Sequence, residues 1–467
     1  MGTRRKMLLS DTIAAIATPH GEGGIGIVRV SGSLAVSIAC KIFKSSKHAS
    51  PADFPSHTLN YGHVVDSIKG NIVDEVMLSV MRAPKSYTAE DVVEFNCHGG
   101  SVPLITVLDL TLQAGARLAE PGEFTRRAFL NGRIDLAQAE AVADLIRSKT
   151  DLARQIAVDG LTGRISAEVN NLNEKLANLL AEVEASIDFP EEELDFLDLD
   201  AMRRTVNDTQ DGLELLIASA SDGKIVRDGI NIAILGKPNV GKSSLLNRLL
   251  KSTRAIVTEI PGTTRDTIEE TLNLHGIPVN LTDTAGIRGT EDIVEKQGVE
   301  RSRSYLDRAA LILMVFDASE PLTDLDIELL EEASSRSAIL VLNKTDLPIA
   351  TMPKDLQLYA PEKTVVQTSM LHGSGVEELE SAVLHHVIGG NFVQGDSPII
   401  TNVRHEDALR RAQASLSHAI ESLDAKMPSE FIAVDLRSSL DAIGEIVGKT
   451  TTEDILDRIF SQFCIGK

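Results

Sequence analysis

At 467 residues with 43% hydrophobic side chains, the chain is long enough for two to four domains with sizeable cores. Its net charge of -22, from 46 basic and 68 acidic residues, argues against broad electrostatic capture of nucleic acid, so any RNA contact must be local or shared with a partner. Cys40, Cys97 and Cys464 show no paired spacing, and no apolar run approaches the roughly 20 residues of a membrane span. We therefore expect a cytoplasmic protein without a membrane partner.

The first part of the chain mixes short strand-like runs with glycine-rich turns. Runs with β character cover residues 25–30, 76–81 and 92–96, and turn clusters lie at 21–24 and 98–100. This pattern predicts an α+β domain over residues 1–125.

Two helical blocks flank the middle of the chain. Apolar residues at spacings of three and four begin near Leu136 and recur in a long run that ends before Pro190. A similar run from Leu409 to Leu423 lies far downstream. Because neither block makes an obvious bundle alone, we expect one discontinuous helical domain, 126–228 and 391–467, with another domain inserted at 229–390. The acidic run at 188–200 is interpreted as a solvated loop rather than a binding site.

The inserted region opens with the sequence GKPNVGKS at 236–243, between an apolar run at 230–235 and a helical pattern. A strand, a glycine-rich turn and a helix N-terminus form a phosphate cradle, in which the lysine reaches the outer phosphates and the serine hydroxyl ligates magnesium. These roles fall to Lys242 and Ser243. The predicted nucleotide contacts of the loop are Asn239, Val240, Gly241, Lys242, Ser243 and Ser244.

Two further motifs follow at the spacing of a guanine-nucleotide site. Asp283 begins the sequence DTAG, where it would hold magnesium through water while the Gly286 N–H meets the γ-phosphate. Asp346 ends the sequence NKTD and can accept two hydrogen bonds from guanine, which adenine cannot donate. The site is therefore predicted to bind GTP rather than ATP. Its further predicted contacts are Thr284, Ala285, Asn343, Lys344, Ser369, Met370 and Leu371.

Two positions depart from the usual pattern of such sites. Ile287 stands where a glutamine commonly orients the attacking water, so the water needs another holder. Ser369-Met370-Leu371 replaces the usual Ser-Ala-Lys loop; the Met370 N–H is predicted to reach guanine O6, and loss of the loop's cation is expected to weaken affinity. The side-chain carbonyl of Asn239 offers a ligand for a monovalent cation, which would supply positive charge near the phosphates.

Several segments resemble the tRNA-modification GTPase family called MnmE or TrmE. The similarity runs essentially end to end, and its most specific parts are the sequences PGEFTRRAFLNG at 121–132 and FCIGK at 463–467, together with DTIAAIATP at 11–19 and DLAQAEA at 135–141. The resemblance implies a tetrahydrofolate-binding-like N-terminal domain that also forms a homodimer, a discontinuous α-helical domain, and an inserted α/β Ras-like P-loop GTPase domain.

The resemblance also implies an activity. Members act with the flavin-dependent partner MnmG (GidA), in a heterotetramer or larger complex, to add aminomethyl or carboxymethylaminomethyl groups to C5 of the wobble uridine of certain tRNAs. By motif position, 5-formyl- or methylene-tetrahydrofolate would contact Arg29, Glu94, Arg133 and Lys467. Without the resemblance these four would be read as surface salt-bridge residues. The family often has lysine at the place of Arg133, and a planar guanidinium binds differently from an ammonium.

For GTP hydrolysis the resemblance implies a potassium ion held when two GTPase domains face one another. Its ligands would be Asn239, Thr258, Ile260 and Thr263, while Thr264 joins Ser243 on magnesium. Glu295 corresponds to the residue that positions water, and Arg288 lies in the same segment. We also hypothesise a functional thiol at Cys464, within the FCIGK sequence.

Other interpretations remain open at this point. A ribosome-assembly GTPase resembling Era or Der would share the nucleotide motifs, although the sequence shows neither a second P-loop nor an RNA-binding GXXG module near its end. A scaffold without turnover is disfavoured because Lys242, Ser243, Asp283 and Asp346 are intact. Zinc binding at Cys97-His98 is disfavoured because two ligands do not make a site.

Overall fold

A computed structural model describes residues 11–19, 21–188, 198–252, 270–283, 309–388 and 397–467. It shows an N-terminal sheet domain, a helical domain and a mostly parallel sheet inserted into the helical domain. This arrangement confirms the predicted fold class.

The N-terminal domain is built on a mostly antiparallel sheet. Within the described residues, seven strands pair in the order β3-β4-β5-β6-β2-β1-β7. Helices α1 (Ala35–Ile42) and α2 (Ser101–Gln113) cover one face, where alternate strand residues are buried. The strands are β1 (Ile13–Ile16), β2 (Gly23–Ser31), β3 (Phe43–Ser45), β4 (Thr58–Val65), β5 (Ile72–Met81), β6 (Val92–Gly99) and β7 (Arg117–Leu118).

The predicted strands and turns of this domain need small corrections. All three predicted runs are strands, but β2 begins within the predicted turn at 21–24, and β6 runs on into the predicted turn at 98–100. A helix, α3 (Glu123–Leu130), crosses the predicted domain boundary at residue 125. This helix ends at Leu130, and the following helix begins at Leu136.

The first helical block follows α3. It comprises α4 (Leu136–Arg147), α5 (Asp151–Leu161), α6 (Arg164–Asp188) and α7 (Leu199–Asp228). The predicted apolar face of α6 is buried at Leu172, Leu176 and Val183. Asp135 and Gln138 form a capping box that fixes where α4 begins. Most of the predicted acidic loop lies outside the described residues.

The inserted region alternates strands and helices. Six strands among the described residues pair in the order β13-β12-β11-β8-β10-β9, all parallel except β9. Their carboxyl ends share one edge, where open α/β sheets bind ligands. The elements are β8 (Ile230–Leu235), α8 (Lys242–Ser252), β9 (Glu270–Leu274), β10 (Ile277–Asp283), β11 (Leu311–Asp317), α9 (Asp324–Ser335), β12 (Ala338–Asn343), α10 (Pro353–Gln357), β13 (Thr364–Gln367) and α11 (Val376–Ile388).

The second helical block packs on the first. It comprises α12 (Val403–Asp424), α13 (Ser429–Val447) and α14 (Glu453–Phe460). Leu172 and Leu213 from the first block share one core with Leu416 and Leu436 from the second. The helical domain is therefore discontinuous, as predicted.

The chain end returns to the N-terminal domain. Phe460 and Phe463 pack against the core of α3 and α4, and the Phe124 N–H donates to the Lys467 carbonyl at 3.2 Å. Gly122 has φ +68°, and a Cβ there would lie 2.5 Å from the Phe460 carbonyl oxygen, so only glycine fits this crossing. The PGEFTRRAFLNG segment thus forms the seat of the FCIGK tail. No helix in the described ranges has the length and apolarity to cross a bilayer.

Candidate functional site

The turn between β8 and α8 wraps around the ammonium group of Lys242. Its Nζ donates to the carbonyls of Gly236 at 2.8 Å and Lys237 at 2.6 Å. Gly241 has φ +105°, and a Cβ there would lie 2.2 Å from Asn343 Nδ2. Ser243 and Ser244 stand exposed in the first turn of α8, at the positive end of the helix dipole. The local sequence thus folds into an anion-binding turn.

Lys237, the second residue of that turn, anchors the loop to α9. Lys237 Nζ lies 2.6 Å from Asp326 Oδ2 and 3.0 Å from Thr323 Oγ1, at the capping box of α9. Asp326 is only 3% exposed, so this ion pair is shielded from solvent. The contact holds the phosphate loop against α9, and the sequence motif alone does not reveal it.

Asn343 ties the phosphate loop to the base-binding loops. Its Nδ2 donates to the Val240 carbonyl at 2.9 Å, and its Oδ1 accepts from the Met370 N–H at 3.1 Å and from Thr368 Oγ1 at 3.3 Å. The side chain is 2% exposed and fully bonded. Because the Met370 N–H already donates to Asn343, the predicted bond from Met370 to guanine O6 requires that donor to be shared or exchanged.

Two carboxylates at the base end remain charged acceptors. Burial raises the pKa of Asp317, but hydrogen bonds from Lys344 (Nζ–Oδ2 2.5 Å) and Ser319 outweigh it and hold that pKa below its usual value. Asp346 Oδ1 accepts from Ser369 Oγ at 2.5 Å, which lowers the pKa of Asp346. The carboxylate of Asp346 is therefore held in its charged form, which accepts hydrogen bonds.

A cavity of about 540 Å³ lies between the phosphate loop, α8 and the base-binding loops. Its wall includes three side chains of α8 that the motifs did not single out, namely Asn247, Arg248 and Lys251. Arg248 reaches the loop after Leu371, where a Cβ at Gly373 would lie 1.8 Å from Arg248 Nη2. Arg248 of α8 thus brings a cation to the loop that follows Leu371. The other lining residues are Asn239, Gly241, Ser244, Asn343, Lys344, Asp346, Leu347, Met370 and Leu371.

Several predicted nucleotide and metal contacts lie outside the described residues. They are Thr258, Ile260, Thr263, Thr264, Thr284, Ala285, Gly286, Arg288 and Glu295, and the Asp283 backbone ends β10 without a described side chain. Their roles stay predictions.

A second group of predicted residues converges in the N-terminal domain. Arg29 on β2 and Glu94 on β6 are register partners, and Arg29 Nε donates to Glu94 Oε1 at 2.7 Å. Arg29 Nη1 also donates to the Gly466 carbonyl at 3.3 Å. The two side chains are 16% and 18% exposed, so solvent screens this pair only partly. The tail therefore joins a pair that is separated from it by most of the chain.

Two aromatic rings make cation–π contacts with the arginines of this group. The guanidinium carbons of Arg29 and Arg133 lie 5.5 Å and 5.0 Å from the centroid of the Tyr87 ring, and Arg29 also lies 5.7 Å from the Phe124 ring. The Tyr87 hydroxyl lies 2.9 Å from Thr125 Oγ1. Tyr87 holds two like charges near one ring, a role that no sequence motif indicated.

The last residue completes the group, which we call the tail cluster: Arg29, Tyr87, Glu94, Arg133 and Lys467. Burial, and then the nearby charge of Arg29, lower the pKa of Lys467. Cys464 is exposed, two residues before Gly466, and its carbonyl accepts from the Gly122 N–H at 3.4 Å. The structure thus brings together the four predicted folate contacts of this region, and the predicted Cys464 lies at their edge.

A buried arginine of α3 forms an ion-pair network next to the segment that contacts the tail. Arg127, which is 1% exposed, lies 2.6 Å from Asp11 Oδ1, 2.9 Å from Glu123 Oε1 and 3.2 Å from Glu90 Oε1. Arg117 adds a bond to Glu123 at 2.6 Å. This network fixes α3, which contacts the tail, to the N-terminal sheet.

Two family models match this chain. A family model described as the MnmE helical domain matches residues 136–464, and one described as the N-terminus of the GTP-binding protein TrmE matches residues 12–133. A protein of Alkaliphilus metalliredigens (strain QYMF) is 49% identical over 461 residues, 99% of this chain and 100% of that protein. One of Geobacillus kaustophilus (strain HTA426) is 50% identical over 458 residues, 98% and 99% of the two chains.

Both relatives bear the name tRNA modification GTPase MnmE. Among solved structures, the G domain of the T. maritima FeoB iron transporter is 30% identical, covering 34% of this chain and 98% of that one with a TM-score of 0.26, a value too low to carry an argument. The end-to-end identity and the two family models decide the matter: this chain belongs to the MnmE family of tRNA modification GTPases.

Proposed function

We propose that this chain hydrolyses GTP in its inserted domain and, with the flavin-dependent partner MnmG, adds aminomethyl or carboxymethylaminomethyl groups to C5 of uridine at position 34 of certain tRNAs. The observation that carries the proposal is the tail cluster, where the chain end meets Arg29 and Glu94 of the N-terminal domain, outside the inserted domain that holds the nucleotide cleft. Two separate ligand sites suit a protein in which nucleotide turnover gates a chemical step elsewhere.

The cleft suits guanine and its triphosphate. The lowered pKa of Asp346 suits an acceptor for the paired donors of guanine, and Lys242 stands among the phosphate-loop carbonyls. Ser243 is exposed in the first turn of α8, which suits a magnesium ligand. Thr264 and Asp283 would complete that set.

Asn239 suits a potassium ligand. It is exposed, has φ +64°, and lines the nucleotide cavity, so its side-chain carbonyl is available to a cation beside the phosphates. A bound potassium ion supplies the positive charge that an arginine finger supplies in related enzymes. We propose that Thr258, Ile260 and Thr263 share it when two copies meet, and that Glu295 and Arg288 act on the attacking water.

The tail cluster suits a reduced folate, as 5-formyl- or methylene-tetrahydrofolate. Arg29, Arg133 and Lys467 offer three cations for its carboxylates, and Glu94 offers an acceptor for the paired pterin donors. Cys464 lies exposed beside this cluster, and we propose that its thiol takes part in the modification. The protein would act as a homodimer in a larger complex with MnmG and tRNA in the cytoplasm.

The ribosome-assembly alternative loses its support. The matched family models cover the N-terminal and helical domains, which a switch resembling Era or Der does not predict.

Hydrolysis in potassium and in sodium tests the proposal. We expect at least about a tenfold faster turnover in potassium, because the cation adds charge at the transition state. Asn239→Ala should remove most of the difference, whereas Asn171→Ala, at an exposed helical position, should keep it. Equal, slow rates in both salts would reject cation-assisted hydrolysis. Wild-type modification of tRNA by Cys464→Ser would reject a role for the thiol.

A further inference from the structure

Polar side chains cross the edge of the inserted sheet at the β9–β10 hairpin. Thr271 and Asn231 are both register partners of Asn280. Asn280 Oδ1 lies 3.1 Å from Thr271 Oγ1, and Asn280 Nδ2 lies 3.1 Å from Asn231 Oδ1. Thr271 and Asn280 are 8% and 9% exposed, whereas Asn231, at the other end of this polar row, is exposed.

The helical domain covers this row with a lysine. Lys149, two residues after the end of α4, donates from Nζ to Asn280 Oδ1 at 3.1 Å and to Thr271 Oγ1 at 3.3 Å. Beside it, Leu152 of α5 touches the hairpin turn, where a Cβ at Gly276 would lie 3.0 Å from Leu152 Cβ. Ile277 of the hairpin is buried with Ala153 and Ile156 of α5. The hairpin is therefore docked on the α4–α5 corner.

Both ends of the hairpin lead to proposed magnesium contacts. β9 begins at Glu270, shortly after Thr264, and β10 ends at Asp283. Switch segments of GTPases change their order with the γ-phosphate and its magnesium. A hairpin tethered at both ends to such segments is placed to shift with the nucleotide state.

The other end of α4 points to the tail cluster. Arg133 stands two residues before Asp135, the residue that caps α4. Its guanidinium shares the Tyr87 ring with Arg29. At about 1.5 Å per residue, the 12 residues of α4 span roughly 18 Å as one rigid element.

The helix is also fixed at both crossings between the helical domain and the inserted domain. Arg227, at the entry, donates from Nε to Asp144 Oδ1 at 2.8 Å. Asn402, at the return, donates from Nδ2 to Glu140 Oε1 at 2.9 Å. Glu140 also binds Arg404 and His405, whose contacts outweigh burial and lower its pKa to about 2. Both crossings therefore contact α4 directly.

From these contacts we propose that Lys149 is a positioning residue that couples the nucleotide cleft to the tail cluster. It holds the β9–β10 hairpin to the end of α4, and α4 transmits the position of the hairpin to Arg133. The inference rests on the proposed function, in which GTP and folate occupy these two sites. Lys149 touches neither site and acts through Thr271 and Asn280.

The test measures linkage between the two ligands on the full chain. The dissociation constant of 5-formyltetrahydrofolate is measured with and without a non-hydrolysable GTP analogue in magnesium and potassium. We expect the analogue to change it at least about fivefold in the wild type. In Lys149→Met the ratio should fall to within about twofold of unity, with nucleotide-free folate affinity unchanged, since no direct contact is lost. Lys175→Met, an exposed lysine on α6, is the matched control and should keep the full ratio.

A second variant separates coupling from folding. Thr271→Val removes the hydroxyl that Lys149 contacts without changing shape, and should reduce the ratio in the same direction. Combined with Lys149→Met it should add little, since both variants remove the contact between Lys149 and Thr271. An unchanged ratio in Lys149→Met, or an equal loss of folate affinity with and without nucleotide, overturns the proposal. Absence of folate binding in the wild type overturns the proposed function itself, whereas two bound ligands with a ratio of one overturn only the coupling.

Discussion

The nucleotide cleft and the tail cluster are built by opposite means. The described lining residues of the cleft lie in three short segments at one edge of the inserted sheet, or on α8, which follows the first segment. The tail cluster gathers Arg29, Tyr87, Glu94, Arg133 and Lys467 from strands, loops and the chain end. The cleft is a local structure of a kind that many proteins share. The tail cluster exists only when the whole N-terminal domain, α3 and the tail are in place.

This difference has an energetic consequence. Cleft residues are oriented by backbone turns and by Asn343, so loss of one side chain should change ligand binding and leave the rest of the fold intact. The positions of the tail-cluster residues depend on the Arg127 network and on the close approach of Gly122 to Phe460. Changes to that support should therefore act on the cluster at a distance.

The largest expected effect is on stability. Arg127→Met leaves the carboxylates of Glu90 and Asp11 without their buried partner, and should lower the free energy of unfolding of the N-terminal domain by about 3–5 kcal/mol. Urea denaturation measures the loss, and 5-formyltetrahydrofolate affinity should fall with it. Arg154→Met removes an exposed pair with Asp151 and should cost less than about 1 kcal/mol.

Guanine-nucleotide affinity provides the contrast for Arg127→Met. This affinity should stay within about twofold of the wild type, because Arg127 makes no contact with the described residues of the cleft. A twofold change corresponds to about 0.4 kcal/mol. An equal loss at both sites would show that the two are not independently built.

The next effect is on catalysis in the cleft. Lys242→Ala removes the ammonium among the phosphate-loop carbonyls and should lower kcat for GTP hydrolysis by about 10²–10³-fold. Steady-state kinetics measure it, with the exposed Lys224→Ala as control. Folate affinity without nucleotide should not change; if it falls as far as kcat, the cleft is not a local structure.

A smaller effect tests the aromatic support of the tail cluster. Tyr87→Leu removes the ring shared by Arg29 and Arg133 and should weaken 5-formyltetrahydrofolate binding about tenfold, as two cation–π contacts are lost. Tyr87→Phe keeps the ring and loses only the contact with Thr125, so it should bind within about twofold of the wild type. Calorimetric titration distinguishes them, and equal losses in both variants would mean that the hydroxyl, not the ring, matters.

The smallest effect concerns pH. Burial and Arg29 lower the pKa of Lys467, so this ammonium loses its proton below the usual lysine range near about 10.4. Folate affinity should therefore fall a few-fold as pH rises towards that range, because the neutral amine attracts carboxylates less. Lys467→Arg keeps its charge and should show a flat profile there. The same decline in both proteins would assign it to another group.

Sequence alone predicted the parts that depend on near neighbours. The strand–turn–helix around Lys242 follows from glycine positions and a strand pattern, and the helical face of α6 follows from its period. The packing of two helical blocks was predictable because neither could bury its apolar face alone.

Contacts between distant segments could not be predicted in this way. Arg248 reaching the base-binding loop, Arg127 among three carboxylates, and Lys149 on the hairpin all depend on how elements meet in three dimensions. Side-chain type at these positions is compatible with ordinary surface charge. Even the tail cluster was found through the family resemblance, since Arg29 and Lys467 have no local pattern that joins them.

The most direct test of the account is mass analysis of the wobble uridine in tRNA from cells that lack this chain. The account predicts that the aminomethyl and carboxymethylaminomethyl nucleosides disappear, that the wild-type chain restores them, and that neither Lys242→Ala nor Tyr87→Leu restores them fully. Unaltered nucleosides in cells without the chain would contradict it.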